Sequence, residues 1–162
     1  LRLNRQPLPF RSTVQDAMDD LQPRALARDV ALTNNVPASL VVLADNDRIR
    51  QVVSNLIDNA IKYGKAGGMT TVSGSHLPDG KVELRIVDDG PGIPKDSQER
   101  IFERFYRVDK ARSREQGGTG LGLAIVKHVV QAHGGEVRIE SELGSGCTFV
   151  ITLPGLPGTA VP

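Results

Sequence analysis

The spacing of hydrophobic residues predicts three amphipathic helices. The first runs from Arg11 to Ala27, where apolar residues recur at intervals of three and four and Ser12 is the predicted N-cap. The second follows the capping segment Asp45 to Asp47 and ends at Gly64, and its hydrophobic rhythm is the clearest helical signal in the chain. The third runs from about Thr119 to His133 and is closed by two glycines.

Between these helices, alternating and β-branched runs predict six strands. They cover residues 29–36, 40–44, 70–77, 81–88, 136–141 and 147–153, and the last four form two hairpins. This order of elements predicts an α/β protein in which helices pack on one face of a mixed sheet. Residues 89–120 are predicted to be mostly irregular, with a short helical stretch at 101–106. A loop of this length within a small domain is usually functional or mobile.

Composition and charge exclude several classes of protein. The 162 residues carry 20 Lys and Arg against 19 Asp and Glu, a net charge of +1 that lacks the strong basic field of a dedicated nucleic-acid or membrane-surface binder. One cysteine cannot form an internal disulfide, and no secretory or membrane-spanning run is visible, so a reducing, soluble setting is expected. Because the chain begins at Leu1 rather than Met, we expect it to be a piece of a longer protein. One domain is predicted at 1–154, followed by a disordered tail at 155–162.

The polar face of the second helix is the first candidate site. Asn55, Asn59 and Lys62 follow one another at i, i+4 and i+7 and therefore form one line along the helix. Two carboxamide oxygens and an ammonium group in a row can hold a hydrated Mg²⁺ and a phosphate. The alternative interpretation is an ordinary solvated helix face.

The end of the fourth predicted strand, residues 81–88, offers a carboxylate. Asp88 shares the parity of the apolar residues of its strand, and a buried carboxylate needs a partner such as a ligand amine. The glycines that follow, Gly90 and Gly92, allow another group to approach the backbone closely. Alternatively, Asp88 only opens a turn.

A glycine-rich segment precedes the third helix. Residues 117–123 read Gly-Gly-Thr-Gly-Leu-Gly-Leu, and glycines at a helix N-terminus expose backbone N–H groups to an anion. The segment matches neither a Walker A loop nor a dinucleotide fingerprint, and a flexible hinge is the alternative.

Residues 104–114 hold the local charge excess that the total conceals. Five basic residues accompany the single acid Asp109, and half of the chain's aromatic residues lie nearby: Arg104, Arg107, Lys110, Arg112 and Arg114, with Phe102, Phe105 and Tyr106. This mixture suits single-stranded nucleic acid or a polyphosphate under a mobile lid, and solvated charges are the alternative. The lid interpretation is favoured because one short stretch does not make a nucleic-acid groove.

The remaining candidates are weak. His76, His128 and His133 lack metal-ligand spacing and are expected to be structural or surface residues. Cys147 shares strand parity with hydrophobic neighbours and is expected to be a small buried residue.

Taken together, these segments resemble the catalytic and ATP-binding domain of bacterial sensor histidine kinases, within the superfamily of gyrase, Hsp90 and MutL. Over residues 10–154 the chain resembles, in order, the family's N box (55–63), first glycine box (88–93), F box (101–107), second glycine box (118–123) and third glycine box (144–149). The resemblance implies a two-layer α/β sandwich of the Bergerat type, with a mixed sheet packed on three helices and a mobile ATP lid.

The resemblance also assigns roles. Asn59 would be the direct Mg²⁺ ligand, Asn55 would lie near the phosphates, Asp88 would accept the adenine amine and Arg107 would approach the γ-phosphate. Lys62 would contact phosphate and Tyr63 would pack on adenine. The other implied ATP contacts are Gly90, Gly92, Ile93, Phe105, Gly118, Thr119, Gly120, Leu121, Gly122, Leu123 and Thr148. Asp89 departs from the family's usual Asn, which puts the water-mediated contacts of that position in doubt.

In the ATP-hydrolysing relatives a Glu that activates water typically occupies the position of Asn55, and an amide cannot serve as that base. The resemblance therefore implies transfer of the γ-phosphoryl group from ATP to a histidine on a separate dimerisation domain, for relay to an aspartate of an OmpR-like response regulator. It further implies a cytoplasmic domain of a sensor kinase anchored in the cell membrane. A superfamily ATPase, a protein-serine kinase and a nucleotide-gated binding module are the alternatives.

Overall fold

A computed structural model describes residues 2–104, 106 and 122–156. In these ranges three long helices and one short helix accompany seven strands. The helices are α1 (Phe10–Ala27), α2 (Asn46–Tyr63), α3 (Lys95–Gln98) and α4 (Gly122–Ala132). The strands are β1 (Gln6–Pro9), β2 (Ala31–Asn35), β3 (Val41–Ala44), β4 (Met69–His76), β5 (Val82–Asp88), β6 (Glu136–Ser141) and β7 (Cys147–Leu153).

The main sheet has five strands in the order β2-β4-β5-β7-β6. The β2 and β4 strands pair in parallel, and the other neighbours are antiparallel, so the predicted mixed sheet is confirmed. In the register of the three central strands, Asp88 of β5 lies opposite Thr70 of β4 on one side and Cys147 of β7 on the other. The carboxylate singled out in the sequence therefore ends the central strand.

The second helix is the centre of the helical layer, because it packs against α1, α4 and the sheet. Its apolar stripe is buried, as the periodicity predicts: Ile49, Val52, Val53, Leu56, Ile57, Ala60 and Ile61. Asp45 caps its N-terminus, accepting a hydrogen bond from the Arg48 N–H at 3.2 Å. This leaves the opposite, polar line of the helix directed away from the core.

The first helix differs from the sequence expectation at its start. It begins at Phe10, preceded by Pro9 without a side-chain cap, so the prediction that Ser12 is the N-cap is wrong. Phe10 is almost completely buried, and its N–H donates to the Leu40 carbonyl at 3.0 Å, which replaces a cap. The helix continues past Pro23 to Ala27.

Two short elements were not expected from the sequence. β1 pairs antiparallel with β3 in a separate two-stranded sheet, so residues 41–44 are not part of the main sheet. Two prolines in four residues obscure β1, although proline is compatible with an edge strand. The helical turn predicted at 101–106 lies earlier, as α3, and hydrogen-bonded turns follow it.

The C-terminal end of the described chain also differs from the sequence prediction, which places a disordered tail at 155–162. Gly155 forms an isolated antiparallel bridge with Val42, so chain packing continues past the predicted start of the tail. Residues 157–162 of that tail lie outside the described residues. In the described part of the chain no helix is both long and apolar enough to cross a membrane.

Buried polar groups in the core are few and mostly satisfied. His133 has 2 % exposure, its Nδ1 lies 2.8 Å from the Val129 carbonyl, and its Nε2 accepts the Asp45 N–H at 3.0 Å. The expectation of a structural histidine at this position is therefore confirmed. Cys147 is buried with 5 % exposure, as its strand parity predicts.

Candidate nucleotide site

The polar line of α2 forms one wall of the candidate site. Asn55, Asn59 and Lys62 are all half-buried. The Asn55 Nδ2 donates to the Gly122 carbonyl at 3.4 Å, which joins the line to the start of α4. Lys62 Nζ lies 3.2 Å from the Asp58 carboxylate, which Arg24 also contacts at 2.9 Å. The predicted amide and ammonium groups of Asn55, Asn59 and Lys62 thus occur together along one face of α2, and we call this row the amide line.

The C-terminus of α2 lies directly against the residues that follow β5. A Cβ on Gly90 would lie 2.7 Å from the Cα of Gly64, and a Cβ on Gly64 would lie 3.6 Å from the Asp88 Cβ. Only glycine allows the two backbones to approach this closely. The close approach therefore brings the end of the amide line beside the Asp88 carboxylate.

Asp88 is half-buried at this junction. Its Oδ1 accepts the Gly90 N–H at 2.9 Å, and the Cys147 backbone N–H also donates to the carboxylate. Burial, reinforced by the charge of Asp89, raises the pKa of Asp88 above its ordinary value, and the two hydrogen bonds only partly offset that effect. A desolvated carboxylate with unused acceptor capacity is suited to bind an amine donor.

The first glycine box is held from its other side by residues 141–146. A Cβ on Gly92 would lie 2.3 Å from the Glu142 carbonyl oxygen, and Gly92 has a φ of 79°. Ser141 Oγ accepts the Ile93 N–H at 2.8 Å. The Gln98 side chain donates to the carbonyls of Ile93 and Ser141, both at 2.9 Å. These bonds fix the backbone of the loop relative to the sheet.

Thr148 is a correction to the predicted set. It pairs with Val87, which is an exposed residue, so Thr148 lies on the sheet face opposite to Asp88. Cys147 occupies the row of Asp88 instead. Burial and the neighbouring Asp88 charge raise the pKa of the Cys147 thiol to about 12, so the thiol is un-ionised at neutral pH. Alternation along β7 is the physical reason for the difference.

Asp89, which departs from the family pattern, has a local structural partner. Its Oδ1 accepts the Met69 N–H at 3.0 Å, at the first residue of β4. A Cβ on Gly68 would meet the same oxygen at 2.3 Å. The Asp89 side chain therefore anchors the start of β4.

Several predicted contacts lie outside the described residues: Phe105, Arg107, Gly118, Thr119, Gly120 and Leu121. Three other predicted ATP contacts lie within the described residues. Ile93 and Leu123 are partly buried and pack against the core, and Tyr63 is half-buried at the end of α2.

Phe102 of the F box packs edge-on against Phe149, with ring centroids 6.1 Å apart. The Tyr106 hydroxyl donates to Ser97 Oγ at 2.9 Å.

Sequence reasoning missed the supporting residues Ser141 and Gln98 and the hydroxyl of Thr70. Thr70 has 0 % exposure, and its Oγ1 has no hydrogen-bond partner. Strand alternation would have placed Thr70 on the buried face, because it shares parity with Val72. Nothing in the sequence signals that Ser141 and Gln98 converge on Ile93.

The donor set fits a hydrated magnesium ion rather than a closed metal cage. No group of three or more His, Cys, Asp or Glu that could hold a metal occurs among the described residues. Asn55 uses its amide nitrogen toward Gly122, so its carbonyl oxygen is available. Carboxamide oxygens together with water and phosphate oxygens are suitable ligands for Mg²⁺.

Comparison with known proteins identifies the family. Residues 44–157 match the family model for histidine kinase-, DNA gyrase B- and HSP90-like ATPases. The sensor-like histidine kinase SenX3 of Mycolicibacterium smegmatis is 43% identical over 146 residues, which cover 90% of this chain and 38% of SenX3. The chain thus spans less than half the length of this relative.

Solved structures agree with the sequence comparison. The mycobacterial sensor histidine kinase MprB matches with a TM-score of 0.81 at 32% identity, over 94% of this chain and 98% of the MprB chain. Full-length ShkA in complex with AMPPNP matches with a TM-score of 0.82 at 32% identity, over 95% of this chain and 32% of that chain. The chain therefore belongs to the histidine kinase-, DNA gyrase B- and HSP90-like ATPase family, as the ATP-binding catalytic domain of a sensor histidine kinase.

Proposed function

We propose that this domain binds Mg·ATP between α2, the end of β5 and the start of α4, and transfers the γ-phosphoryl group to a histidine on a separate dimerisation domain. The observation that carries the proposal is the close approach of Gly64 to Gly90, which brings the amide line of α2 beside the Asp88 carboxylate. One end of this arrangement suits an adenine amine, and the other suits phosphates and a metal ion.

The predicted residues contact different parts of Mg·ATP. Asn59 would hold a hydrated Mg²⁺ through its carbonyl oxygen, with Asn55 beside it near the phosphates, and this ion would neutralise charge on the phosphates. Asp88 accepts the exocyclic amine of adenine, and the Tyr63 ring packs against the base. Lys62 exchanges its ion pair with Asp58 for a phosphate oxygen. Arg107 and the glycine-rich segment 118–123 complete the phosphate contacts.

The chemistry favours transfer over hydrolysis. Asn55 carries an amide, which cannot take a proton from water, so the domain lacks a general base at the position where the ATP-hydrolysing relatives typically carry Glu. Catalysis then rests on positioning and charge neutralisation, while the imidazole nucleophile comes from another domain. None of His76, His128 and His133 has the sequence context of an acceptor, and His133 has both ring nitrogens engaged in the core.

The full protein extends this function into a relay. We propose that the dimerisation domain of the same kinase supplies the acceptor histidine and that an OmpR-like response regulator takes the phosphoryl group on an aspartate. The full-length kinase would reside at the cell membrane, with this domain in the cytoplasm. The similarity to SenX3, which is named a sensor-like histidine kinase, supports the part of this proposal that makes the full protein a sensor kinase.

The test is phosphoryl transfer in trans. The domain is mixed with the dimerisation fragment of its own full-length kinase and γ-labelled Mg·ATP, and the matched control replaces the acceptor histidine of that fragment with glutamine. We expect acid-labile phosphohistidine on the unmodified fragment alone. Rapid phosphate release by the isolated domain, with no labelled fragment, would instead identify a superfamily ATPase.

A further inference from the structure

The connection between α2 and β4, residues 64–68, is held by the turn that follows α1. The Gly67 N–H donates to the Arg28 carbonyl at 2.9 Å. The same connection lies against the residues that follow β5, through the close approach of Gly64 to Gly90. It therefore contacts both the turn after α1 and the loop after β5.

The Arg28 side chain reaches the residue at which α2 ends. Its Nη2 donates to the Gly64 carbonyl at 3.0 Å. Gly64 is the C-cap of α2, and its Cα is the atom that a Cβ on Gly90 would meet at 2.7 Å. A cation at a helix C-terminus also interacts favourably with the unpaired carbonyls there. One guanidinium thus holds the peptide group at which α2 meets the loop after Asp88.

The backbone of Arg28 is itself fixed by the end of α1. The Val30 N–H donates to the Ala25 carbonyl at 2.8 Å. The Asp29 N–H donates to the Leu26 carbonyl at 3.1 Å, which completes the hydrogen-bond pattern of a Schellman motif. Asp29 occupies the left-handed position of that motif, with a φ of 55°. Arg28 therefore extends from a hydrogen-bonded helix end.

The guanidinium of Arg28 also carries a cost to stability. The side chain is half-buried, and its Nε has no hydrogen-bond partner in the described part of the chain. An unsatisfied buried N–H destabilises the folded state, so the fold alone does not favour a guanidinium here. Local conflicts of this kind are expected at functional sites. What the guanidinium supplies at this position is the bond to the Gly64 carbonyl.

We propose that Arg28 is a positioning residue for ATP, which keeps the end of α2 against Gly90 and Asp88 by holding the Gly64 carbonyl. The residue acts through this peptide group and not through a contact with the nucleotide. Because the peptide lies at the base-binding end of the proposed site, loss of the bond should weaken ATP binding and leave the transfer step unchanged. This inference rests on the proposed ATP-binding function and adds to it a residue from the turn after α1.

The test is titration calorimetry with Mg·ATP on two variants. Arg28→Met removes the side-chain donors at similar length, and Arg28→Lys keeps a cationic donor. We expect Arg28→Met to weaken binding roughly three- to tenfold, the range for one hydrogen bond, and Arg28→Lys to recover most of that loss. Arg11→Met is the matched control, because Arg11 of the same helix also donates to a backbone carbonyl, that of Val36, at 3.4 Å. ATP affinity should be retained in the control.

Two further measurements separate positioning from a general loss of stability. In phosphoryl transfer to the dimerisation fragment, Arg28→Met should raise KM for ATP and leave kcat unchanged. In the Asp88→Asn background, Arg28→Met should reduce ATP affinity by a smaller factor than in the unmodified domain, because both residues act at the same end of the site. Circular dichroism checks folding, and Arg28→Gln, whose amide is too short to replace the guanidinium, is used instead if Arg28→Met does not fold.

Unchanged ATP affinity in Arg28→Met, or an equal loss in Arg11→Met, would overturn the positioning role. The same conclusion would follow from a loss in Arg28→Lys as large as in Arg28→Met, from a fall in kcat with KM unchanged, or from full additivity with Asp88→Asn. Each of these results would leave the proposed function intact. Absence of ATP binding by the unmodified domain would overturn both.

Discussion

A Cβ on Gly90 would lie 2.7 Å from the Cα of Gly64, so the C-terminus of α2 rests against the loop that follows Asp88 with no room for a side chain between them. This backbone contact joins the two chemical halves of the site, the amides of the helix and the carboxylate of the strand. Its dependence on glycine can be tested directly.

Gly90→Ala should separate the helix end from the loop. The neighbouring atoms at Gly64 are backbone and cannot rotate away, so we expect a loss of about 1–3 kcal/mol in the free energy of unfolding and a marked loss of ATP affinity. Gly144→Ala is the control, because Gly144 has a φ of 84° but nothing within 4 Å of its Cβ position. That variant should be destabilised by backbone strain with ATP affinity retained. Equal ATP affinity in both variants, measured by calorimetry, would contradict the role of the contact.

Asp88 should make ATP binding depend on pH. Burial raises the pKa of Asp88, so its carboxylate is protonated at a higher pH than that of an ordinary aspartate, which has a pKa of 3.8. Because the charged form is the better acceptor, ATP affinity should begin to fall at a higher pH than an ordinary aspartate would cause. Asp88→Asn should weaken binding roughly tenfold or more at neutral pH and remove this dependence.

The same shift affects stability in the opposite direction. A pKa raised in the folded state means that folding is favoured when Asp88 is protonated, and that this contribution is lost as pH rises through the folded pKa. As pH rises through the acidic range, the free energy of unfolding of the nucleotide-free domain, measured by urea denaturation, should therefore fall less in Asp88→Asn than in the unmodified domain. Exposed Asp79→Asn is the matched control, expected to reproduce the behaviour of the unmodified domain.

His133 should contribute to stability and not to nucleotide binding. Its Nε2 accepts the N–H of Asp45, the residue that caps α2. His133→Phe would leave that N–H without its partner, at an expected cost of about 1–3 kcal/mol in the free energy of unfolding. His128→Phe, at an exposed position of α4, should change stability little. A large loss of ATP affinity in folded His133→Phe would show that the histidine acts beyond the core.

Parts of the structure that follow from local patterns could be predicted from the sequence. The stripe from Ile49 to Ile61 defines α2, and because that stripe must face the core, the position of Asn55 and Asn59 on the outer line follows from it. Alternation along β5 likewise places Asp88 on the same face of the sheet as the buried residue Ile86.

Relationships between distant segments could not be obtained in this way. Which residue of β7 lies beside Asp88 depends on the pairing register, and the register selects Cys147 rather than Thr148. The strand β1 is obscured by prolines, and α3 has only four residues, which is too short for a hydrophobic period. The bonds of Gln98 to Ile93 and Ser141 depend on the folded loop.

The most direct test of the central claim, that α2 holds Mg·ATP through its amide line, is calorimetric titration of Asn59→Ala with ATP in the presence and absence of Mg²⁺. The control is Asn46→Ala, which removes an exposed amide from the first turn of the same helix. We expect Mg-dependent ATP binding to disappear in Asn59→Ala and to persist in Asn46→Ala, with both variants folded by circular dichroism. Unchanged Mg-dependent binding in Asn59→Ala would contradict the assignment of this line as the metal and phosphate site.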